Sequence, residues 1–157
     1  MTNNAIEIRG LRKTYRGQGS APAKEALKGV DLDIPKGSIF GLLGPNGAGK
    51  TSLISCIVTL EHPTSGVVRV FGQDVQRDPR KAKVRTGLVP QEIVSHGFFS
   101  VQEVLGFHMG YYGVWRDEKR IQYLLERLKL WEHRDKKVRQ LSGGMKRRLM
   151  IARALIH

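Results

Sequence analysis

Residues 44–51 read Gly44-Pro45-Asn46-Gly47-Ala48-Gly49-Lys50-Thr51, with Ser52 next, and satisfy G-x-x-x-x-G-K-[ST] in full. No other stretch restricts the fold so tightly, because the pattern works only between a strand and a helix. The flanks supply that setting. "SIFGLLG" is a short continuous apolar run that predicts a buried strand. "KTSLISCIVTL" predicts a helix that "EHPTSG" stops. Glycine at 47 and 49 lets the backbone wrap closely and turn successive N–H groups inward as an anion nest. The new helix puts the positive end of its dipole under a bound phosphate. In that geometry Lys50 reaches the β- and γ-phosphates, and the Thr51 hydroxyl ligates Mg²⁺. The loop predicts a nucleoside-triphosphate site.

The surrounding pattern changes period once. "AIEIRGL" and "ALKGVDLDI" alternate, the latter broken by Pro35-Lys36-Gly37, and "VVRVFG" and "RTGLVPQ" add two further strand candidates. Beyond Gln91 the period becomes helical. Val101, Val104, Leu105, His108, Met109 and Tyr112 share one face, with Ser100 and Glu103 spaced as a capping box. A second helix carries Ile121, Leu124, Leu125 and Leu128 behind Asp117 as its cap, and Ser142 is placed to cap a third. Strands feeding a helical insert argue an α/β architecture with a helical subdomain. The predicted divisions are residues 1–90, 91–141 and 142–157.

Composition bounds the class. The chain has 157 residues, 40% hydrophobic and 26% charged, which suits a globular domain. The lone Cys56 rules out an intrachain disulfide, and its apolar neighbours predict a buried side chain. "MTNNAIEIRG" has no apolar signal region, and no apolar stretch is long enough for a bilayer, so a soluble, cytosolic chain is expected. Three readings of the formal charge of +13 stay open: a nucleic-acid surface, a face near anionic lipid, or an uneven share of a larger protein's charge. The basic runs lack interleaved aromatics, so nucleic acid is not the expected partner. The five histidines (His62, His96, His108, His133, His157) form no i,i+4 pair, so no metal site of that kind is predicted. Trp115 and Trp131 flank the second helix and are expected to anchor it.

"LSGG" at residues 141–144 follows the glycine-rich loop by about ninety residues, with "VPQE" containing Gln91 between them. Three marks in this order resemble the ATP-binding cassette (ABC) transporter family across essentially the whole chain. "GYYGV" and "LSGGMKRRLMIARALIH" are most similar to the ATP-binding subunits of bacterial drug or polysaccharide exporters. The resemblance implies a P-loop nucleoside-triphosphatase core with an antiparallel β subdomain and a helical subdomain, its sheet incomplete at the C-terminus. It implies that Tyr15 stacks on adenine, worth about 1–3 kcal/mol by analogy with base stacking; the other reading is a strand-end tyrosine packed on the sheet. It implies that Gln91 touches Mg²⁺ and the attacking water, so that Lys50 and Gln91 are the catalytic pair in this stretch. Ser142, Gly143 and Gly144 would bind the γ-phosphate of ATP held by a second cassette. Met145 departs from the commonest family pattern, which has glutamine there, and a thioether cannot replace an amide's hydrogen bonds. Phe98 and Phe99 are candidates for a surface meeting a membrane-spanning permease, with burial inside the subdomain as the other reading. The implied location is the cytoplasmic face of the cell membrane, held peripherally.

The family also needs an apolar strand ending in Asp for Mg²⁺, followed by a catalytic Glu. The Asp-Glu pair here, Asp117-Glu118, sits in the polar "WRDEKR", and His157 comes too early for the family's switch histidine. The expectation is therefore an active ATPase as the parent protein and negligible hydrolysis by these 157 residues alone. Two other readings remain: a soluble ABC protein acting on ribosomes or DNA, and a non-catalytic nucleotide-binding module. No N-K-x-D guanine motif occurs, which disfavours a GTPase.

Overall fold

Two long strands set the first unit: β1 (Asn4–Tyr15) and β2 (Lys24–Pro35) pair antiparallel along their length in a computed structural model that describes residues 3–17, 19, 22–93 and 97–157. The other side of β1 pairs antiparallel with β3 (Ser65–Val70), and the two-residue β4 (Gln73–Asp74) closes the order β2-β1-β3-β4. Alternation, interrupted in β1 by an irregularity between Ile8 and Leu11, decides which side chains go inward. Ile8, Leu11, Leu27, Val68 and Val70 are buried, and α1 (Lys50–Ile57) sets Leu53, Cys56 and Ile57 in the same core. Burial raises the Cys56 thiol above its ordinary pKa, which leaves it an inert core group as the sequence predicts. α1 ends three residues short of the predicted Leu60. Thr59 turns left-handed at φ 61°, and the Leu60 and Glu61 amides fold back to donate to Ser55 O.

Two predicted strands are absent. Residues 38–44 are irregular, with Ile39 and Leu43 almost fully exposed. A strand buried on both faces needs a hydrogen-bonded neighbour, and no described residues supply one. "RTGLVPQ" likewise forms no ladder. Just before it, Pro79–Val84 forms a short helix, α2, with proline in its first turn behind Asp78.

The chain divides into two compact units, Met1–Thr86 and Gly87–His157. The second is helical: α3 (Val101–Tyr111), α4 (Glu118–Arg127) and α5 (Gly143–Leu155), with 3₁₀ turns at Trp131–His133 and Val138–Gln140. All three predicted caps form. Ser100 Oγ accepts from Glu103 N while Glu103 returns a carboxylate to Ser100 N, completing the capping box. Asp117 accepts from Arg120 N at 3.1 Å, and Ser142 accepts from Met145 N at 3.3 Å. The buried stripes meet as one core that includes Val101, Leu105, Met109, Ile121, Leu125 and Leu149. Trp131 packs at its edge under the Arg134 guanidinium. Trp115 is 94% exposed and anchors nothing in this unit. Phe98 is also exposed, and Phe99 stands edge-to-face on Phe107. His96, with residues 94 and 95, lies outside the described residues.

His108, on the α3 face between Tyr111 and Tyr112, is pushed down to about 4, first by burial and then by the charges of Arg153 and His157. The unfolded chain takes up this proton below about pH 6.5, but the folded chain does not until about pH 4. Stability therefore falls as pH drops through that window, by about 2 kcal/mol after allowance for solvent screening. Urea unfolding at pH 7 and pH 4.5 checks this. The drop should be smaller in His108→Phe than in the wild type, and equal drops would contradict it.

Candidate nucleotide-binding site

The glycine-rich loop is shaped by three left-handed residues, Gly44, Gly47 and Gly49, at φ 153°, 85° and 87°. Gly49 is the N-cap of α1 and has no room for a side chain. A Cβ there would lie 2.5 Å from Ala26 O and 2.9 Å from Leu27 Cδ2, so the turn rests directly on β2. Gly47 faces open space, and its glycine answers the backbone conformation alone. Lys50 braces the loop: its Nζ donates to Gly44 O at 2.6 Å and to Pro45 O at 2.7 Å. Leu53 N donates to Gly49 O at 2.9 Å, which starts the helix directly behind the turn. The first turn of α1 carries no acidic residue, so nothing there competes with an anion.

Beside the loop, Tyr15, Lys24, Ala26, Gly47, Gly49, Thr51 and Ser52 line a cavity of about 170 Å³. That is smaller than most enclosed ligand pockets, so the cavity is a shallow surface and not an enclosing pocket. Pro45, Asn46 and Ala48 are exposed, and a Cβ on Gly44 would lie 3.4 Å from Ala48 Cβ. Tyr15 ends β1 and donates from Oη to Ser52 Oγ at 3.1 Å. The Lys13 ammonium sits 4.8 Å from its ring centroid. Lys13 is in turn held by Glu61 Oε2 at 2.7 Å and His62 O at 2.9 Å. The Glu61 carboxylate keeps this largely buried ammonium above the usual lysine range.

Sequence reasoning missed Lys24 and Ala26. The signal lies in the β1–β2 register, which pairs Tyr15 with Lys24, and the register depends on bulges that no local pattern encodes. A larger cavity of 380 Å³ in the helical unit is lined by Glu126, Lys129, Trp131, Glu132 and His133. It offers two carboxylates and no amide nest, so a triphosphate has no reason to enter it.

The remaining predicted residues lie in the second unit. Gln91 is exposed, and its backbone oxygen faces Arg147. Ser142 caps α5, while Gly143 and Gly144 are exposed with no atom within 4 Å of a would-be Cβ. Nothing among the described residues requires glycine at these two positions. Met145 turns its side chain to the edge of the helical core, a packing use of a position where glutamine is usual in the resembled family. Asp117 is spent capping α4, and Glu118 pairs with Arg116, so this pair is no buried metal-binding carboxylate motif.

An antiparallel sheet, a helical unit and this glycine-rich loop at the start of α1 define a P-loop nucleoside-triphosphatase core. The sequence pattern of the family described as "ABC transporter" matches residues 27–157, and the chain belongs to that family. Its relatives include the phosphonates import ATP-binding protein PhnC of Wolinella succinogenes, 40% identical over 164 residues, covering 96% of this chain and 58% of that protein. The linearmycin resistance ATP-binding protein LnrL of Bacillus subtilis is 42% identical over 154 residues, covering 97% and 48%. Among solved structures, a dimeric ATP-binding cassette in a post-hydrolysis state with ADP and Pi superposes with a TM-score of 0.82 at 29% identity, covering 96% of this chain and 69% of that one. The chain thus spans about half the length of these two relatives.

Proposed function

We propose that this chain is the nucleotide-holding part of an ABC transporter's ATP-binding subunit, of the drug or polysaccharide exporter type. The single observation that carries this is the residue 44–51 loop, folded over the start of α1 and braced by Lys50. In this reading the loop amides and Lys50 hold the β- and γ-phosphates of ATP, and Tyr15 takes the adenine. The Thr51 hydroxyl and the Gln91 amide are hard oxygen donors, a set that suits Mg²⁺. When bound, Mg²⁺ neutralises phosphate charge. Lys50 places positive charge at the transferring phosphoryl group, and Gln91 orients the attacking water.

Residues 1–90 then serve as the nucleotide core and β subdomain, residues 91–141 as the helical subdomain, and residues 142–157 as the signature loop and its helix. Ser142, Gly143 and Gly144 present the start of α5 to ATP on a second cassette, and the exposure of all three, with open space around the two glycines, supports this. The exposed Phe98, with Phe99 and Phe107 beside it, supports a face for a membrane-spanning permease at the cytoplasmic side of the membrane. No helix among the described residues is long and apolar enough to cross a membrane. Exporter and importer names both occur among the relatives, so the exporter reading rests on the "GYYGV" and "LSGGMKRR" segments.

Hydrolysis needs an aspartate–glutamate pair at the end of an apolar strand, and these 157 residues contain none. The full gene product should therefore turn over MgATP, and faster with its permease in liposomes, while residues 1–157 alone turn it over negligibly. A phosphate-release assay on the two proteins decides. Comparable rates would refute the division of labour, and no turnover by the full product would refute the ATPase reading.

A further inference from the structure

The segment that carries Gln91 is fastened along α5 at two points. Gly87 lies so close to the helix that a Cβ there would sit 2.0 Å from Ala154 O and 3.1 Å from Ala154 Cβ. Three residues on, the Arg147 guanidinium donates to Pro90 O, and the same nitrogen lies 3.5 Å from Gln91 O. Seven residues separate Arg147 from Ala154, about 10.5 Å of helix, and three extended residues span about 10 Å. The segment therefore runs extended and antiparallel to α5, and it delivers Gln91 toward the end of the helix that Ser142 caps. The neighbouring arginine points elsewhere. Arg148 donates to Leu128 O at 3.1 Å and Lys129 O at 3.3 Å, which fixes α5 to the end of α4.

We propose that Arg147 is a positioning residue: it straps the Gln91 segment to α5, so that Gln91 and the Ser142, Gly143 and Gly144 loop move as one body. This rests on the reading of Gln91 given above. The contact goes to backbone carbonyls, so it fixes the path of the chain whatever side chain stands at 90 or 91. The two N–H groups of this one terminal nitrogen face two successive carbonyls from a planar head group, a geometry that a lysine ammonium does not reproduce. Gly87 supports the strap from its other end by close approach, without charge.

The test uses the full gene product, with ATP turnover and amide exchange measured on the same variants. Arg147→Met should lower kcat about tenfold, the scale of a lost charge-assisted hydrogen bond, with KM for ATP changed less than about twofold. Arg147→Lys should recover part of the loss. Gly87→Ala, whose Cβ would press on Ala154 O at 2.0 Å, should push the segment off α5 and give a larger kcat loss while leaving every charge in place. Gln91→Ala combined with Arg147→Met should be no slower than Gln91→Ala alone, because the strap acts through Gln91. Exchange across residues 88–92 should quicken about tenfold in Arg147→Met. Unchanged exchange there, or kcat losses that multiply in the double variant, would overturn the proposal. If Gln91→Ala alone leaves kcat intact, the catalytic reading of Gln91 fails, and the exchange measurement then decides the strap by itself.

Discussion

Replacing Lys50 by Met is expected to weaken MgATP binding about a hundredfold while moving the melting temperature by only a few degrees. The ammonium makes two short bonds, 2.6 Å to Gly44 O and 2.7 Å to Pro45 O, and these tie the last turn of the loop back to its start. A hydrogen bond from a charged donor contributes about 1.5–3 kcal/mol, less where solvent competes, as it does at this exposed site. Losing the brace, and the charge that a phosphate would take over, amounts to about 3 kcal/mol of binding, or about a hundredfold. Stability changes little because the loop is exposed and Lys50 contributes nothing to the Leu53, Cys56 and Ile57 core. Calorimetric titration with MgATP beside thermal unfolding checks both halves. Undiminished affinity in Lys50→Met would remove Lys50 from the site.

Gly49→Ala should destabilise the first unit by about 3–5 kcal/mol and abolish MgATP binding with it. Two costs add. An alanine at φ 87° carries the strain of a left-handed non-glycine residue, about 1–3 kcal/mol. Its Cβ would also press on Ala26 O at 2.5 Å, a backbone atom of β2 fixed between Glu25 and Leu27, which both pair with β1. The start of α1 must then lift off β2, taking Thr51 and Ser52 away from Tyr15. Gly47→Ala is the internal control. Its φ of 85° is as demanding, but the space around it is open, so it should cost about 1–2 kcal/mol. Urea unfolding of the two variants separates strain from contact, and equal losses would show that the close approach to Ala26 contributes nothing.

Local signals were the ones legible in the sequence. Ser100 with Glu103, Asp117 and Ser142 all cap the helices they were expected to cap, because a cap is decided within four residues of chain. The 3.6-residue stripe of α3 placed Val101, Leu105 and Met109 in the core for the same reason. The glycine-rich loop was legible because its chemistry is written in eight consecutive residues. What failed depended on distant partners. "SIFGLLG" has the composition of a buried strand, but a strand exists only where another pairs with it. "RTGLVPQ" has strand composition too, yet Gly87 lies against α5 and Pro90 is held by Arg147, about sixty residues on in sequence. Lys24 reached the cavity beside the glycine-rich loop through hairpin register, and Trp115, expected to anchor the second helix, stayed outside the core. The α2 helix was signalled by Pro79 after Asp78, a cue that the basic run "RDPRKAKVR" obscured.

Amide hydrogen exchange of the full gene product, with and without saturating MgATP, tests most directly whether residues 44–52 together with Tyr15 hold the nucleotide. The predicted result is slowed exchange across residues 44–52 and around Tyr15, absent in Lys50→Met at the same MgATP concentration. Unchanged exchange in that loop at saturation, or protection confined to other segments, would contradict it.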